Sequence, residues 1–203
     1  GCGDCGVKSN CVSVQPLETE LGRKRRIDQS NCNKDFSCIE GFCPSFVTVH
    51  GGNLRKADRK PADPSALFAD LPLPATPALD GAFNILVTGI GGTGVITIGA
   101  LLGMAAHVDG KACSTLDFTG LSQKNGAVMS HVRIAPSPDD LANVRIGPGT
   151  ANLILGCDIV VATSMAALSR AGRGVPRAVV NSDLLPTSSF LIDPGVDFQA
   201  GAV

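Results

Sequence analysis

Six of the eight cysteines in this 203-residue chain lie within its first 43 residues, beginning with the stretch GCGDCGVKSNC. Thiolates at this density can form disulfides, hold zinc or hold an iron–sulfur cluster. The first two cysteines are separated by only two residues, so one tight turn can present both sulfurs to a tetrahedral metal site. The six candidate metal ligands are Cys2, Cys5, Cys11, Cys32, Cys38 and Cys43.

The spacing of the remaining cysteines favours an iron–sulfur cluster over the two alternatives. Zinc sites commonly use two short cysteine pairs, whereas Cys32, Cys38 and Cys43 are separated by five and four residues. Disulfides need an oxidising compartment, and the α/β pattern farther along the chain is typical of a cytosolic enzyme. A proline follows Cys43, and Cys-Pro ends the bacterial ferredoxin cluster motif. We therefore predict a [4Fe–4S] centre with Cys2, Cys5 and Cys43 as first-choice ligands, while zinc and disulfides stay open.

A second motif, GIGGTG at residues 89–94, follows a predicted strand and opens a predicted helix. The backbone amides of such a turn, and the positive end of the helix dipole, can face a phosphate. Asp117 ends the next predicted strand, where an acid that binds a ribose would lie. The motif therefore fits an NAD or FAD site, but glycines that only permit a tight turn and close packing fit it equally well. The candidate binding residues are Gly89, Gly91, Gly92, Thr93 and Gly94.

A polar loop between two predicted strands supplies further candidate binding residues, which are Ser122, Gln123, Lys124 and Asn125. The loop lies on the side where α/β sheets present ligands. Lys124 carries a positive charge that can neutralise a phosphate, although a solvated connecting loop is the alternative interpretation.

The other cysteines and the histidines show no pattern of this kind. Cys113 and Cys157 lie in apolar stretches and are expected to be buried packing residues. His50, His107 and His131 have no ligand-like spacing, so we expect packing or surface roles for them.

The elements that must position these residues follow an alternating order from residue 83 onward. Strands are predicted at 83–88, 111–117, 127–134, 158–163 and 177–182, and helices at 95–107, 137–144 and 164–171. Strands that alternate with helices predict an α/β fold with a doubly wound, mostly parallel sheet. We divide the chain into a cysteine-rich iron–sulfur segment (1–50), a linker with five prolines (51–82) and a Rossmann-like domain (83–203) that is expected to be truncated at its C-terminal end.

Composition narrows the class of protein. A formal net charge of -1 argues against a chain that binds nucleic acid mainly by charge. The sequence has no apolar run of eighteen residues that could cross a membrane, and it begins with no initiator Met, signal peptide or transit peptide. We therefore expect part of a longer cytoplasmic protein, without a nucleic-acid or membrane partner.

Taken together, the two motifs resemble a known enzyme family. Residues 1–50, with GCGDCGVKSNCVSV, LETELGRKRRIDQSNCNKDFSC and GFCPSFVTV, resemble the iron–sulfur segment of the fused, single-chain indolepyruvate ferredoxin oxidoreductases. Residues 83–190 resemble the gamma domain of the 2-oxoacid:ferredoxin oxidoreductase superfamily, through ILVTGIGGTGV, DFTGLSQKNGAVMSHVRI and VVNSDLLPTSSF. One departure is visible, because many gamma domains carry Gln where this chain has Thr93.

The resemblance implies an enzyme that depends on thiamine diphosphate. Such an enzyme decarboxylates an aryl 2-oxoacid such as indolepyruvate, transfers the acyl group to coenzyme A and passes electrons through [4Fe–4S] clusters to ferredoxin. This sequence has no Gly-Asp-Gly motif with a following Asn, so thiamine diphosphate and Mg²⁺ are expected to bind to other domains of the parent protein. The fragment alone is then inactive and contains no catalytic residue, and the parent is expected to form a homo-oligomer.

Two other functions fit the same motifs. One is a flavin- or NAD(P)-linked reductase in which an iron–sulfur module feeds a dinucleotide domain. The other is a non-catalytic interaction module that is stabilised by zinc.

Overall fold

A computed structural model describes most of the region from residue 78 onward and shorter parts of the region before it. The described residues are Cys5, 13–29, Cys32, 34–40, 50–53, 69–72, 75–76, 78–120, 126–172, Gly174, 177–182 and Gly195. By contact density the chain divides into two compact units, residues 1–43 with 79–203, and residues 44–78. The described residues of the second unit form no helix or strand. The three-part division at residues 50 and 82 stays a prediction.

The N-terminal segment contains a small β-hairpin. Strand β1 (Val14–Leu17) pairs antiparallel with β2 (Lys24–Ile27). The amide of Gly22 donates to the carbonyl of Thr19 over 2.9 Å, and Gly22 adopts the left-handed φ of 84° that a side chain would disfavour. A 3-10 turn at Ser37–Glu40 follows the hairpin.

The larger part of the same unit is a five-stranded sheet with helices. Its strands are β3 (Phe83–Ile90), β4 (Ala112–Thr119), β5 (Ala127–Ala135), β6 (Leu153–Gly156) and β7 (Arg177–Val180), and its helices are α1 (Val95–Val108), α2 (Ile159–Ala162) and α3 (Met165–Leu168). The strand order is β4-β5-β3-β6-β7, which puts β3 in the centre. Among the described residues, no helix has the length and apolarity that crossing a bilayer requires.

Both faces of the central strand are covered. Successive strand residues point to opposite faces, and Leu86 packs with Ala167 of α3 on one face while Val87 packs with Val95 of α1 on the other. All residues of β3 after Phe83 are buried, which explains why this strand is mostly apolar on both faces. The predicted α/β class, with helices on both faces of the sheet, is confirmed.

The sheet is mostly parallel in strand direction, as predicted, but it is mixed, because β3, β4, β6 and β7 run one way and β5 runs against them. Strands β3, β6 and β7 run parallel, whereas β5 pairs antiparallel with both β3 and β4. The cause is the connection between β4 and β5, which spans only residues 120–126. A parallel crossover needs a dozen or more residues, so a connection of this length forces a hairpin.

Several predicted elements are confirmed, and one predicted strand is a helix in the structure. The strands predicted at 83–88, 111–117, 127–134 and 177–182 and the helix at 95–107 correspond to β3, β4, β5, β7 and α1. The strand predicted at 158–163 is wrong, because β6 ends at Gly156 and α2 follows it. Asp158 Oδ1 accepts a hydrogen bond from the amide of Val161 over 2.9 Å and so caps a helix at this point.

The predicted helices at 137–144 and 164–171 are much shorter in the structure. Ser137 does cap a turn, since its hydroxyl oxygen accepts from the amide of Asp139, but only the 3-10 turn Pro138–Asp140 forms. The chain then leaves helical geometry, and the amide of Ile146 donates to a side chain of β5 instead of continuing a helix. The second predicted helix is reduced to α3, which Ser164 caps through the amide of Ala167.

Candidate functional site

A groove opens where β3 ends and the chain turns into α1. Its volume is about 480 Å³, and we call it the glycine-turn groove. Gly91, Gly92 and Gly94 line it, together with the first turn of α1 and the end of β4 at Thr119 and Gly120. The groove therefore lies at the carboxyl end of the central strand, where open α/β sheets bind ligands.

The glycines of the turn have different tasks. Gly92 and Gly94 adopt φ values of 98° and 87°, a left-handed conformation that suits glycine. An added Cβ on either would meet no atom within 4 Å, so both positions face open space. Gly91 lacks a left-handed φ, and its amide donates to the carbonyl of Gly126 over 2.8 Å.

The two other candidates in this motif support the turn without lining the groove. A Cβ on Gly89 would lie 2.7 Å from Val95 Cγ2 and 2.9 Å from Cys157 Cβ, so the missing side chain permits close packing of helix and strand. The hydroxyl of Thr93 donates to the carbonyl of Ile90 over 2.7 Å. Their placement suits a structural role, and a contact of either residue with a ligand stays a prediction.

The buried carboxylate of Asp158 lies next to the glycine turn. Asp158 is fully buried; its Oδ1 accepts a hydrogen bond from the amide of Val161 over 2.9 Å, and the amides of Val160 and Ile90 also face the carboxylate. Burial raises the pKa of Asp158 above its usual range, and the three backbone amides that face the carboxylate partly oppose that rise. The side chain thereby joins the end of β3 to the start of α2.

The N-terminus of α1 has the electrostatics of an anion site. Its N-cap is Gly94, which has no side chain to bond the first amides, and its first turn contains no acidic residue. The first amides of a helix lack intrahelical partners, and the dipole of a 14-residue helix adds partial positive charge there. Val95, Ile96 and Thr97 carry these amides and line the groove. The groove can therefore bind a phosphate or carboxylate.

Asp117 does not lie where a dinucleotide site requires its ribose-binding acid. That acid ends the strand next to the central one in a parallel sheet. Here Asp117 is exposed on the edge strand β4, β5 separates β4 from β3, and Asp117 does not line the glycine-turn groove. The expectation for this residue is therefore wrong, because the antiparallel β4–β5 pairing moves β4 to the edge of the sheet.

Several predicted site residues lie outside the described residues. They are Cys2, Cys11, Cys43, Ser122, Gln123, Lys124 and Asn125. The described neighbours of the polar loop are Gly120 and Gly126, and Gly120 lines the groove. The roles predicted for these seven residues stay predictions.

Three of the predicted metal ligands are described, and all three are half-buried: Cys5, Cys32 and Cys38. The amide of Lys34 donates to Cys32 Sγ over 3.4 Å, an interaction of the kind that surrounds cluster sulfurs. Within the described part of the chain, no three cysteine, histidine or acidic side chains gather into a possible metal site. Because the other three cysteines lie outside that part, the cluster stays a prediction that the Cys32 environment fits.

The two cysteines of the sheet are half-buried rather than fully buried. Burial raises the pKa of Cys113 and of Cys157, so both are protonated thiols at neutral pH. Their chemistry fits the predicted packing role, although each retains some exposure.

A cluster around His131 was not singled out by the sequence. His131 is only 2% exposed, its Nδ1 accepts from the amide of Ile146 over 3.1 Å, and the ring of Phe118 meets it edge-on at 5.1 Å. Burial, and then the charges of Arg170 and Arg145, lower the pKa of His131 to about 4. Its burial excludes a surface role for this histidine. The two arginines are 25 residues apart and follow no motif, so only the fold could show that they lie together.

Comparisons with known proteins give matches in both structure and sequence. Two solved structures are similar to this chain, each with a TM-score of 0.40. Pyruvate oxidoreductase subunit PORC from Thermotoga maritima is 16% identical, over 55% of this chain and 55% of that chain. The gamma subunit of a keto/oxoacid ferredoxin oxidoreductase from Geobacter sulfurreducens is 26% identical, over 52% of this chain and 53% of that chain.

Two indolepyruvate oxidoreductase subunits IorB match in sequence over 80 residues. The Pyrococcus horikoshii protein is 36% identical and the Thermococcus kodakarensis protein 35%, over 39% of this chain and 38% of each relative. The match thus spans less than two fifths of these relatives. The family model for pyruvate ferredoxin/flavodoxin oxidoreductases matches residues 84–194, more than half of the chain. The predicted relation to the 2-oxoacid:ferredoxin oxidoreductases is therefore confirmed, and the chain belongs to the pyruvate ferredoxin/flavodoxin oxidoreductase family.

Proposed function

We propose that this chain is part of a thiamine-diphosphate-dependent 2-oxoacid:ferredoxin oxidoreductase that acts on an indolepyruvate-like substrate. The enzyme would decarboxylate the 2-oxoacid, form an acyl-CoA and pass the electrons through iron–sulfur clusters to ferredoxin. Family membership supports the reaction class. The names of the two IorB relatives support an aryl 2-oxoacid.

In this proposal the glycine-turn groove binds the phosphate of coenzyme A. The observation that carries it is an uncapped helix N-terminus that opens into a cavity lined by Gly91, Gly92 and Gly94. The free amides of the first turn of α1 would hold the anion, and Lys124 would neutralise part of its charge. Gly92 and Gly94, without side chains, let the ligand approach the backbone closely.

The remaining cofactors are assigned to different parts of the enzyme. The cysteine-rich segment (1–50) would hold a [4Fe–4S] cluster, which supplies one-electron transfer to ferredoxin. The sequence of this chain has no residues that fit thiamine diphosphate and its Mg²⁺, since it lacks the Gly-Asp-Gly motif. Those groups would bind to other domains of a cytoplasmic homo-oligomer.

A pair of matched glycine variants tests the groove in the full-length enzyme. Gly92→Ala adds a methyl group to a residue that lines the groove, at a left-handed position with no atom within 4 Å. Gly110→Ala is the control, because Gly110 ends the same helix with a φ of 69° and equally open space. Each variant should lose about 1–2 kcal/mol of stability from backbone strain.

Only Gly92→Ala should weaken coenzyme A use, with the KM for coenzyme A raised about tenfold because close backbone approach is lost. Steady-state kinetics at saturating 2-oxoacid and a thermal melt of each variant provide the comparison. Equal KM values in both variants would show that the groove does not bind coenzyme A. Stoichiometric binding of NADH or NADPH that Gly92→Ala abolishes would instead assign the groove to a reductase.

A further inference from the structure

A second cavity lies beside the glycine-turn groove, where β4 ends and β5 begins. Its volume is about 250 Å³, and Phe118, His131, Arg145 and Arg170 are among its lining residues. We call it the arginine cavity. Thr119 and Gly120 line both the arginine cavity and the glycine-turn groove, so the two are neighbours on opposite sides of the end of β4.

The cavity holds two positive charges without a described counter-ion. The guanidinium of Arg145 lies 5.1 Å from the centre of the Phe118 ring, and its side chain is otherwise exposed. Arg170 is half-buried, and its Nη1 donates to the carbonyl of Ile146 over 3.1 Å. Within the described part of the chain, no carboxylate forms an ion pair with either arginine. Most of the N–H groups of both side chains therefore remain available to a ligand.

The buried histidine adds a neutral donor. Because His131 Nδ1 accepts the amide hydrogen of Ile146, the proton of the neutral ring is on Nε2. Among the described residues, no hydrogen bond uses Nε2, and His131 lines the arginine cavity although the residue is only 2% exposed. The lowered pKa keeps this ring uncharged at neutral pH, so Nε2–H donates but does not accept.

We infer that the arginine cavity binds the anionic group of a small molecule, a carboxylate or a phosphate, through Arg145, Arg170 and Nε2–H of His131. All three side chains donate hydrogen bonds, and a planar guanidinium matches the geometry of both anions. The ring of Phe118 forms an apolar wall of the same cavity. A volume of 250 Å³ suits one such group rather than a whole cofactor.

This inference does not depend on the proposed function, because neither arginine belongs to the glycine-turn groove. The test therefore separates the two sites. Titration calorimetry is done on the full-length protein with Gly92→Ala as background, a change expected to weaken any anion binding at the groove. Inorganic phosphate and malonate serve as the two probes at constant ionic strength. The quantity compared between variants is the affinity for each anion, and the inference concerns the part of it that depends on Arg145.

Arg145→Gln should weaken that binding about tenfold, since it removes one charge-assisted contact. Arg145→Lys should lie between wild type and Arg145→Gln, because it keeps the charge and loses the planar fork. Arg145 is exposed, so a thermal melt should change little in both variants. Arg177→Gln is the control, because Arg177 is equally exposed at the start of β7 and lines neither cavity.

Each outcome is decisive. Binding of phosphate alone, or of malonate alone, supports the site and identifies which anion it takes, and binding of both supports a general small-anion site. Affinities that change less than twofold in Arg145→Gln overturn the inference. Equal weakening in Arg177→Gln also overturns it, because the effect is then the net charge of the surface and not a site.

Discussion

The N-terminal segment and the sheet are stabilised in different ways. In β3, every residue after Phe83 is buried between two layers of helices. The described hairpin region buries far less, and its apolar side chains Leu21, Phe36 and Ile39 are 84%, 59% and 55% exposed. The sheet thus has a hydrophobic core, whereas the described residues of the cysteine-rich segment form no core of comparable size.

This difference indicates what the cysteines contribute. A segment of about fifty residues rarely buries enough apolar surface to fold by itself, and small modules of this kind use metals or disulfides instead. In such modules the free energy of metal binding contributes directly to the free energy of folding. We expect the N-terminal segment to depend on its cluster and the sheet to be independent of it, and three experiments test this contrast.

The largest effect is expected from Cys5→Ser in the full-length protein. Loss of one ligand should abolish most of the broad visible absorbance of the cluster and reduce ferredoxin reduction to background, because electrons have no path to the acceptor. Cys113→Ser is the matched control, since Cys113 is another half-buried cysteine but lies in the sheet. Absorbance, iron content and limited proteolysis of residues 1–50 measure the result.

The two half-reactions, decarboxylation of the 2-oxoacid and reduction of ferredoxin, test the two regions separately. Cys5→Ser should still permit decarboxylation of the 2-oxoacid to a slow non-oxidative product. An unchanged spectrum and iron count in Cys5→Ser would remove this cysteine from the ligand set. Equal loss of both half-reactions in a folded protein would show that the two regions do not divide the work.

A smaller effect, confined to the sheet, is expected from Leu86→Ala. Leu86 is fully buried in β3, so its truncation should cost about 2–5 kcal/mol of unfolding free energy. Leu101→Ala is the control, because Leu101 is 64% exposed on α1 and should cost less than about 0.5 kcal/mol. Urea unfolding followed by circular dichroism measures both, and the cluster absorbance of the folded protein should stay intact. Bleaching of the cluster by Leu86→Ala would contradict the independence of the two regions.

The smallest effect concerns acid stability of the sheet. The pKa of His131 falls from 6.5 to about 4 on folding, so the folded state binds fewer protons than the unfolded state. The stability that this histidine contributes is therefore complete above pH 6.5 and is lost as the pH falls towards 4, by about 2–4 kcal/mol. The charges that face it, Arg145 and Arg170, remain positive throughout this range.

The measurement compares urea unfolding at pH 7 and pH 4.5 for wild type and His131→Gln. The glutamine variant should be less stable at pH 7 but should lose less stability on acidification. The same loss in both proteins would show that His131 does not carry the acid sensitivity of the sheet.

The fold was predictable from sequence where local signals are strong. The apolar run of β3, the glycine turn and α1 follow each other without ambiguity, and the structure confirms them. The stretch 158–163 was predicted as a strand because it contains three consecutive β-branched residues. In the structure the buried side chain of Asp158 caps a helix there. The antiparallel pairing was available in principle, because residues 120–126 are too few for a parallel crossover.

The candidate site also has features that the sequence predicts and features that only the structure shows. The glycines predict a turn at the carboxyl end of a strand. Only the structure shows that Gly92 and Gly94 have a left-handed φ and that Gly89 packs against α1. The arginine cavity had no signal in the sequence, because Arg145 and Arg170 come from separate connections that the sheet brings together.

The central position of β3 also sets the order in which the chain can fold during synthesis. Residue 119 pairs with residue 128, so the β4–β5 hairpin closes locally, but residue 85 of β3 lies opposite residue 153 of β6, 68 positions later. Loop closure over that distance is slow compared with hairpin formation. On the ribosome β3 can therefore pair with β5 well before β6 emerges. Its other edge stays open in the meantime, and an open strand edge of this kind is a template for pairing with a foreign strand.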